Sequence, residues 1–322
     1  MAKKPKIKTK QPAFVLTDYP EAIAYTDMQN SIFWNPLEIE VEKDVQDFMV
    51  NFTDAERHGV LEVLKLFTKY ETWAMNEYWG GRVKRTYPRP EIQMMAATFS
   101  SMEAVHARFY NRLNEALNVS TEEFHNKYLE SPVLKERMEF IDACVSSKDD
   151  EFSIGVFSLV EGAILYSSFA FLKHFQAEGK NKLMNVDAGI SFSVRDEDLH
   201  SQAGAWLFKQ SVREQGREDD QELFNAIYEA AYKIYEHECH IIKMLFEKGE
   251  IEGITEVQLT RFVESRIDLC LENLGLRKLF KVKYNPIAKW FYKDINAVNF
   301  HDFFVKVGNS YSRDWNEMRF IW

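Results

Sequence analysis

The stretches that decide the fold are two tetrapeptides of the same pattern, Glu103-Ala104-Val105-His106 and Glu197-Asp198-Leu199-His200. Each lies within a long run of apolar residues at helical spacing. Because positions i and i+3 share one face of an α-helix, each tetrapeptide can direct a carboxylate and an imidazole to the same point. One such pair is usually a solvated pair on a helix surface, but two copies on separate helices are typical of a helical bundle that binds metal ions in its core. The two copies therefore predict an all-α fold.

The stretch from Phe152 to Leu172 supplies a third helix. It contains 21 residues and one charged side chain, Glu161. A segment of this length and composition can cross a membrane, but the central carboxylate, several serines and the charged flanks favour a helix buried on all sides in a large bundle. A lone buried carboxylate needs a proton, a partner or a metal ion. We therefore expect no membrane span, and we predict that Glu161 is a metal ligand.

The fourth helix of the predicted site is 53–79, from which we choose Glu71 as the remaining carboxylate. Two Glu-x-x-His pairs, with one Glu from each of two further helices, form the ligand set of ferritin-like dimetal proteins. The predicted fold class is thus a ferritin-like helical bundle with a dimetal carboxylate site in its core. The predicted ligands are Glu71, Glu103, His106, Glu161, Glu197 and His200.

The bulk composition agrees with a helical protein. The 322 residues include 13 Gly and 8 Pro, a scarcity that favours long helices over a turn-rich β fold. A net charge of −10 argues against nucleic acid as a partner. The three cysteines lie far apart and no secretory signal is visible. We therefore expect a reducing, cytoplasmic setting without disulfides.

Helical periodicity divides the chain into three parts. They are an irregular segment 1–20, a dimetal domain 21–284 and a C-terminal segment 285–322, which Asn285-Pro286 opens as a non-helical tail. We expect breaks at Gly80-Gly81 with Pro88 and Pro90, at Ser146–Asp150, at Gly179–Asn185 and at Gly249–Gly253. Long helices are predicted at 53–79, 91–117, 132–146, 151–178, 187–214, 219–248 and 254–275.

Two other acidic, histidine-containing stretches have simpler interpretations. Glu122-Glu123-Phe124-His125 follows Ser120, which can cap a helix with Glu123 at the capping-box position, so we interpret this stretch as structural. The residues of Glu236-His237-Glu238-Cys239-His240 are types that bind zinc. Apolar neighbours occupy the inner face of that helix, so we predict that its charged side chains largely face solvent.

Tyr110 lies four residues after His106 and seven after Glu103, so the three share one stripe of a helix. Taken alone, a buried core tyrosine bonded to a carbonyl is equally compatible with this position. Beside two metal ions that activate O₂, the phenol is a group that can lose an electron and a proton and become a tyrosyl radical. Leu165 and Phe169 are candidates to line its apolar pocket, and plain core packing explains them equally well.

An ordered set of segments resembles the small subunits of class I ribonucleotide reductases over roughly residues 30 to 312. The set comprises Phe33-Trp34-Asn35-Pro36, Glu56-Arg57-His58, Ser101-Met102-Glu103-Ala104-Val105-His106 with Tyr110, Val160-Glu161-Gly162-Ala163, Arg195-Asp196-Glu197-Asp198-Leu199-His200, and Asn285-Pro286. The resemblance implies a ribonucleoside-diphosphate reductase subunit that generates and stores a tyrosyl radical on Tyr110. It also implies that one metal binds Glu71, Glu103 and His106 and the other binds Glu161, Glu197 and His200, with bridging carboxylates.

The resemblance implies partners as well. Trp34 and Asp196 would form a relay to His106 that carries an electron and a proton to and from the surface. The C-terminal tail would dock a large catalytic subunit, which reduces ribonucleotides to deoxyribonucleotides, with Tyr311 as the relay residue of the tail and Trp315 as the second choice. The ending Phe320-Ile321-Trp322 has the character of a hydrophobic plug. A homodimer is expected, and the need for an activating flavoprotein is left open.

The chain departs from the family pattern at the first carboxylate. The separation from Glu71 to Glu103 is one residue longer than in the family, which makes Glu77 the alternative ligand. Glutamate at position 71 is typical of a manganese–iron subgroup, whose members carry Phe where this chain has Tyr110. These two signals conflict and leave the metal pair open. Two iron ions are the first expectation, and manganese or a mixed manganese–iron pair are the alternatives, because carboxylate and imidazole ligands suit both metals.

Two other functions compete with this prediction. A stand-alone ferritin-like dimetal oxidase acting on a small or lipid-like ligand would have the same ligand set, but Trp34, Asp196 and the aromatic tail argue against it. An iron-storage or purely structural helical protein would need no relay. Metal content and dependence on a large subunit distinguish the three.

Overall fold

The structure, a computed structural model, describes residues 6–11 and 14–292, and within these ranges the regular elements are helices. The single extended pairing among the described residues is an isolated bridge between Ile251 and Ile254. The predicted all-α fold is therefore confirmed. The helices are α1 (Pro20–Ser31), α2 (Asp54–Trp73), α3 (Lys84–Thr86), α4 (Pro90–Ala116), α5 (Glu122–Glu130), α6 (Pro132–Val145), α7 (Asp150–Ala163), α8 (Tyr166–Lys173), α9 (Met184–Gln215), α10 (Gln221–Leu245), α11 (Glu256–Asn273) and α12 (Ala288–Phe291).

Five long helices, α4, α6, α9, α10 and α11, begin and end within three residues of their predicted bounds. Side-chain caps explain where α10 and α11 start: Asp220 accepts a hydrogen bond from the backbone N–H of Leu223, and Thr255 accepts one from that of Gln258. Thr121 takes this role at α5, where it accepts from the N–H of Phe124, so the prediction of Ser120 as the cap is wrong.

Two shorter helices were not predicted. Helix α1 has almost no separation of polar and apolar faces, so it lacks the periodicity on which prediction depends. Helix α12 places a turn in the segment expected to be non-helical, because Phe291 packs into the core. The rest of the predicted docking segment, residues 293–322, lies outside the described residues, and with it Tyr311, Trp315 and the hydrophobic ending.

Of the predicted break at Gly80-Gly81 with Pro88 and Pro90, the part at the glycines is wrong, whereas the chain does leave the helix between the end of α3 at Thr86 and the start of α4 at Pro90. After α2 the chain continues as a π-helix over Ala74–Val83 and then as α3. A Cβ atom on Gly80 would lie 2.5 Å from the carbonyl oxygen of Met75, and one on Gly81 would lie 2.6 Å from that of Asn76. The two glycines therefore permit the close approach of these turns instead of ending the helix.

The apolar stretch that was predicted as one helix, 151–178, forms two. Helix α7 ends at Ala163, and α8 starts at Tyr166. The segment Asp150–Gly179 is the one stretch in the described part of the chain that is long and apolar enough to cross a membrane, and its most apolar window of 18 residues is entirely buried in the protein. It is therefore the core of the bundle, as predicted, although the helix is interrupted.

Small residues bring α7 close to its neighbours. The hydroxyl of Ser158 donates to the carbonyl oxygen of Ser201 at 2.8 Å, and the hydroxyl of Ser201 donates to that of Ser158 at 2.8 Å. A Cβ atom on Gly162 would lie 2.2 Å from Sγ of Cys270 on α11. This tight packing places Glu161 beside the Glu-x-x-His pair of α9.

Candidate metal centre

Six ionisable side chains from four helices converge in the centre of the bundle. Each is at most 1% exposed. Helix α2 contributes one carboxylate, α4 and α9 contribute a carboxylate and an imidazole each, and α7 contributes the last carboxylate. The six are Glu71, Glu103, His106, Glu161, Glu197 and His200. The structure thus brings together all six residues predicted as ligands, whereas the alternative, Glu77, is exposed on the π-helix.

One half of the centre, which we call the His106 group, surrounds Nδ1 of His106. This nitrogen lies 3.6 Å from Oε2 of Glu71, 3.3 Å from Oε2 of Glu103 and 3.1 Å from Oε1 of Glu197. One donor atom from each of the four residues lies within 4.8 Å of the others, a spacing that can hold one metal ion.

The other half, the His200 group, surrounds Nδ1 of His200. This nitrogen lies 2.8 Å from Oε1 of Glu103, 3.3 Å from Oε2 of Glu161 and 3.7 Å from Oε2 of Glu197. Glu103 and Glu197 therefore direct one oxygen to each imidazole, while Glu161 lies at this half only. Two sites that share two carboxylates are the arrangement of a dimetal centre.

The electrostatics of the centre favour bound cations. Burial raises the pKa of Glu71 and of Glu161 well above the usual value, with Glu197 adding to the effect. Both oxygens of Glu71, Glu103 and Glu197 are buried without a hydrogen-bond partner, as is Nδ1 of His106. Buried charges and unpaired polar atoms are strongly unfavourable. Four carboxylates and two imidazoles with free donor atoms fit two divalent cations.

The outer nitrogens of both imidazoles are already hydrogen-bonded. Nε2 of His106 lies 2.9 Å from Oδ2 of Asp196, and Nε2 of His200 lies 3.1 Å from Oε1 of Gln29. The amide of Gln29 also donates to Oδ1 of Asp196 at 2.8 Å. A proton on each Nε2 leaves each Nδ1 lone pair free to face the centre, as in other metal-binding histidines. Sequence reasoning missed Gln29, which is 1% exposed.

Trp34 extends this hydrogen-bond chain outward. Its indole Nε1–H donates to Oδ2 of Asp196 at 2.9 Å, the same oxygen that binds His106. The rings of Trp34 and His106 are also stacked, with centroids 6.0 Å apart. The structure therefore places the three residues predicted for a relay in one continuous chain of contacts.

Tyr110 lies in a dry aromatic pocket beside the His106 group. Its ring is fully buried and stacks on Phe67 with centroids 4.2 Å apart, and Phe67 in turn stacks on Phe169 at 5.3 Å. Its hydroxyl has no hydrogen-bond partner. Burial, followed by the nearby carboxylate of Glu71, raises the pKa of Tyr110 well above its usual value. The sequence could have indicated Phe67, because it precedes Glu71 by four residues and therefore lies on the same face of α2.

Tyr70 was not predicted to contribute to the centre, although it precedes Glu71 in the sequence. Its hydroxyl donates to Oε1 of Glu161 at 2.9 Å. This bond occupies one oxygen of Glu161 and leaves Oε2 directed to His200. The hydroxyl thus restricts the orientation of a carboxylate in the centre.

Two buried arginines stabilise the interruption between α7 and α8. Nε of Arg266 donates to the carbonyl oxygen of Gly162 at 2.9 Å, and Nη2 of Arg137 donates to that of Ile164 at 3.0 Å. Carbonyl groups at a helix end lack intrahelical partners. The arginines supply partners next to Glu161 and thereby fix the end of its helix.

The Glu236–His240 stretch differs from its prediction, since His237 and Glu238 are fully buried. Oε1 of Glu238 pairs with Nη1 of Arg137 at 3.4 Å, and its Oε2 accepts from the hydroxyl of Ser167 at 2.5 Å. Among the described residues, the groups spaced for a metal ion are the two around His106 and His200, so this stretch is not one of them.

A helical bundle whose core holds two Glu-x-x-His pairs and two further carboxylates defines a ferritin-like dimetal carboxylate protein. The family model described as "Ribonucleotide reductase, small chain" matches residues 13–286, and the chain belongs to this family. The predicted function is confirmed at this level: the protein is a small subunit of class I ribonucleoside-diphosphate reductase. As a small subunit it pairs with a large subunit. Membership of this family does not favour the stand-alone oxidase.

Relatives agree with this assignment. A probable ribonucleoside-diphosphate reductase small subunit of Invertebrate iridescent virus 3 is 23% identical over 96% of this chain and 88% of its own length. The subunit beta of Bacillus subtilis (strain 168) is 26% identical over 87% of this chain and 85% of its own.

Solved structures confirm the ferritin-like fold. A dimanganese(II)-NrdF of Streptococcus sanguinis superposes with a TM-score of 0.76 at 22% identity, covering 87% of this chain and 98% of that chain. The R2 subunit of ribonucleotide reductase from Clostridium botulinum superposes with a TM-score of 0.74 at 20% identity, covering 84% of this chain and 87% of that chain.

Proposed function

We propose that the His106 group and the His200 group each bind one metal ion, iron in both, and that Tyr110 stores the radical that this subunit supplies to the large subunit. The observation that carries the proposal is the pair of overlapping donor groups, buried together with unpaired carboxylate oxygens. Manganese and a mixed manganese–iron pair compete with iron, because carboxylate oxygen and imidazole nitrogen suit both metals. The manganese-containing neighbour from S. sanguinis supports keeping them in the experiment.

The protein's contribution to the chemistry is geometric. When bound, the metal ions supply the activation of O₂ and the oxidising power. Glu103 and Glu197 each direct one oxygen to each half, so these two carboxylates would hold both ions. Asp196 and Gln29 hold Nε2 of the two imidazoles, so that each Nδ1 stays free for a metal.

Tyr110 is the group that loses an electron and a proton. Its proton leaves Oη, an atom with no hydrogen-bond partner whose surroundings include the carboxylate of Glu71. The stacked ring of Phe67 and complete burial of the phenol exclude water and soluble reductants. The same exclusion of water and reductants would protect a radical formed on Tyr110.

Trp34, Asp196 and His106 form the route from the centre toward the surface. Oδ2 of Asp196 accepts from Nε1 of Trp34 and faces Nε2 of His106, so a proton can shift along the same contacts that carry the electron. Beyond Trp34 we assign the route to the C-terminal segment 285–322 and its Tyr311, with Trp315 as the alternative. That segment would also bind the large subunit, and the working unit would be a homodimer.

The test is metal analysis combined with electron paramagnetic resonance on protein loaded with iron, with manganese and with both, each assayed with and without a large subunit and an activating flavoprotein. We expect two metal ions per chain, a tyrosyl signal in at least one loading, and reduction of ribonucleoside diphosphates only when the large subunit is present. Failure to bind two metals, or the binding of many irons by an assembled shell, would contradict the proposal.

A further inference from the structure

A second chain of aromatic contacts leads from the metal centre to the surface, on the side of the His200 group. It starts at the hydroxyl of Tyr70, which donates to Oε1 of Glu161 at 2.9 Å. The ring of Tyr70 stacks with that of Trp73, with centroids 6.4 Å apart and planes 30° apart. The indole Nε1–H of Trp73 donates to Oδ1 of Asp142 at 2.5 Å. Asp142 is exposed, so the chain ends in solvent.

The outer end of this chain opens into a pocket of about 520 Å³, which we call the Trp73 pocket. Trp73 and Asp142 line it, together with charges of both signs from Glu77, Arg82 and Arg85. A polar pocket of this size suits a small water-soluble molecule better than an apolar ligand. The half-buried indole of Trp73 is therefore within reach of small solutes, while Tyr70 behind it is 1% exposed.

This chain of contacts contains the same kinds of residue as the Trp34 route, an indole and an aspartate, but it lies at the other half of the centre. In both, an indole N–H donates to an aspartate at short distance: Trp34 to Asp196 at 2.9 Å, and Trp73 to Asp142 at 2.5 Å. The Trp34 route reaches the centre at His106, whereas this one reaches it at Glu161. The two routes share no residue.

Core packing alone does not require the hydroxyl of Tyr70 to face a carboxylate. Tyr78 is fully buried in the same region, and its hydroxyl has no hydrogen-bond partner. By contrast, the hydroxyl of Tyr70 is bonded to Glu161 and its ring is stacked on Trp73. The phenol is thus coupled to the centre on one side and to an oxidisable indole on the other.

We propose that Trp73 and Tyr70 form a second one-electron path, by which a small soluble reductant in the Trp73 pocket delivers electrons to the metal centre without using Trp34. The path rests on the proposed function, since the oxidised metal pair is the acceptor. One electron leaves the indole of Trp73 and passes through the phenol of Tyr70 to that pair, and the indole proton moves to the carboxylate of Asp142. An enediol reductant of the ascorbate class then gives one electron to Trp73, and the proton returns from Asp142.

The first experiment follows the reduction of the oxidised, iron-loaded protein by ascorbate, observed as loss of the absorbance of the oxidised metal pair, with the tyrosyl signal recorded in parallel. We expect Trp73→Phe and Tyr70→Phe to slow this reduction by roughly tenfold, the change that about 1.4 kcal/mol of added barrier produces. Trp206→Phe is the matched control, because Trp206 is a half-buried tryptophan that contacts Tyr19 and Tyr25 instead. Its rate should match that of the wild type.

Metal content is measured in every variant. An unchanged rate of reduction in Trp73→Phe overturns the proposal, because Trp73 is the residue at which electrons would enter. This holds whatever the rate in Tyr70→Phe. A slow rate in Tyr70→Phe alone would then reflect altered support of Glu161.

A second experiment needs no metal and separates this proposal from the proposed function. Pulse radiolysis of the metal-free chain with azide radicals oxidises tryptophan, and the growth of phenoxyl absorbance reports transfer from tryptophan to tyrosine. We expect the amplitude of the fast intramolecular phase to fall by the same amount in Trp73→Phe and Tyr70→Phe, and not to fall further in the double variant. Trp206→Phe removes a separate contribution from the contacts of Trp206 with Tyr19 and Tyr25, so its loss should add to that of Trp73→Phe. If the amplitude in Trp73→Phe and Tyr70→Phe equals that of the wild type, the path does not exist, even if the centre binds two metals as proposed.

Discussion

Gln29 and His200 are joined by a hydrogen bond of 3.1 Å between Oε1 and Nε2, which crosses from the first helix of the bundle to the ninth. The same amide donates to Asp196, which holds His106, so one side chain connects the outer nitrogens of both imidazoles. The orientation of the two histidines is therefore linked through a residue that binds no metal.

The first prediction concerns this link. Gln29→Leu should lower the metal affinity of the centre by roughly 10–100-fold, because loss of the acceptor frees the ring of His200 to rotate and removes the partner of its N–H. Competition with a chelator measures the change. Gln210→Leu is the control, since among the described contacts Gln210 bonds only to Arg213 and Glu214 of its own helix, away from the centre. Equal affinities in the two variants would show that Gln29 does not orient His200.

The second prediction separates the radical from the metals. Tyr110→Phe should retain two metal ions per chain and lose the tyrosyl signal after exposure of the reduced protein to O₂, because the ring still fills the pocket beside Phe67. Tyr78→Phe removes another buried hydroxyl that lacks a partner and should keep the signal. A persistent tyrosyl signal in Tyr110→Phe would place the radical elsewhere.

The third prediction tests the route through Asp196. This carboxylate accepts hydrogen bonds on both oxygens, from Gln29 on Oδ1 and from Trp34 on Oδ2. Asp196→Asn replaces one of these acceptor oxygens by an NH₂ group, a donor that then faces the N–H of Gln29 or of Trp34. Ribonucleotide reduction with the large subunit should fall by roughly 10–100-fold, and Trp34→Phe should abolish it while metal content and the tyrosyl signal remain. Full activity in Trp34→Phe would exclude the route.

The fourth prediction concerns the packing that holds Glu161. Gly162→Ala would place a methyl group 2.2 Å from Sγ of Cys270 and 2.4 Å from Oγ of Ser201. Such overpacking lowers the free energy of unfolding by about 1–3 kcal/mol, and the shift of α7 should reduce metal loading. Gly204→Ala, whose methyl group would lie 3.3 Å from Cβ of Ser158, should be milder. Chemical denaturation measures both, and equal stabilities would contradict the prediction.

The fifth prediction is a pH dependence of stability. Burial raises the pKa of Glu238 from 4.5 to about 7, although Arg137 and Ser167 act in the opposite direction. The folded chain therefore holds a proton that the unfolded chain releases in this range, so this stabilisation is complete below pH 4.5 and is lost as the pH rises to about 7. Glu238→Gln should remove a pH-dependent difference on the order of 3 kcal/mol.

Thermal unfolding of the metal-free wild type and of Glu238→Gln at a series of pH values checks this. The wild type should lose stability relative to the variant between pH 5 and pH 8. Parallel curves would show that the carboxylate of Glu238 titrates normally in the fold.

Much of the centre was predictable because the repeat of an α-helix converts sequence spacing into a shared face. The pairs Glu103/His106 and Glu197/His200 show this directly, since an i, i+3 spacing is enough to bring donor atoms together. Glu161 was predictable for another reason: a single carboxylate in an otherwise uncharged stretch must find a partner in the interior.

Contacts that depend on the packing of distant helices were not predictable in the same way. Gln29 lies on a helix without amphipathic pattern and acquires its role from two side chains more than 160 positions away. The burial of Glu238 likewise depends on Arg137, which belongs to a different helix. In both cases the local pattern indicates a solvated polar residue, and tertiary packing overrides it.

The π-helix over Ala74–Val83 has a consequence for how such chains diverge. A turn closed by i→i+5 bonds accommodates one residue more than an α turn, so a π-helix at this place can absorb an extra residue between Glu71 and Glu103 without rotating either carboxylate away from its neighbour. An insertion at this point would therefore be nearly neutral for the geometry. An alignment that prohibits a gap here would pair the first carboxylate with the wrong position in any relative whose spacing differs.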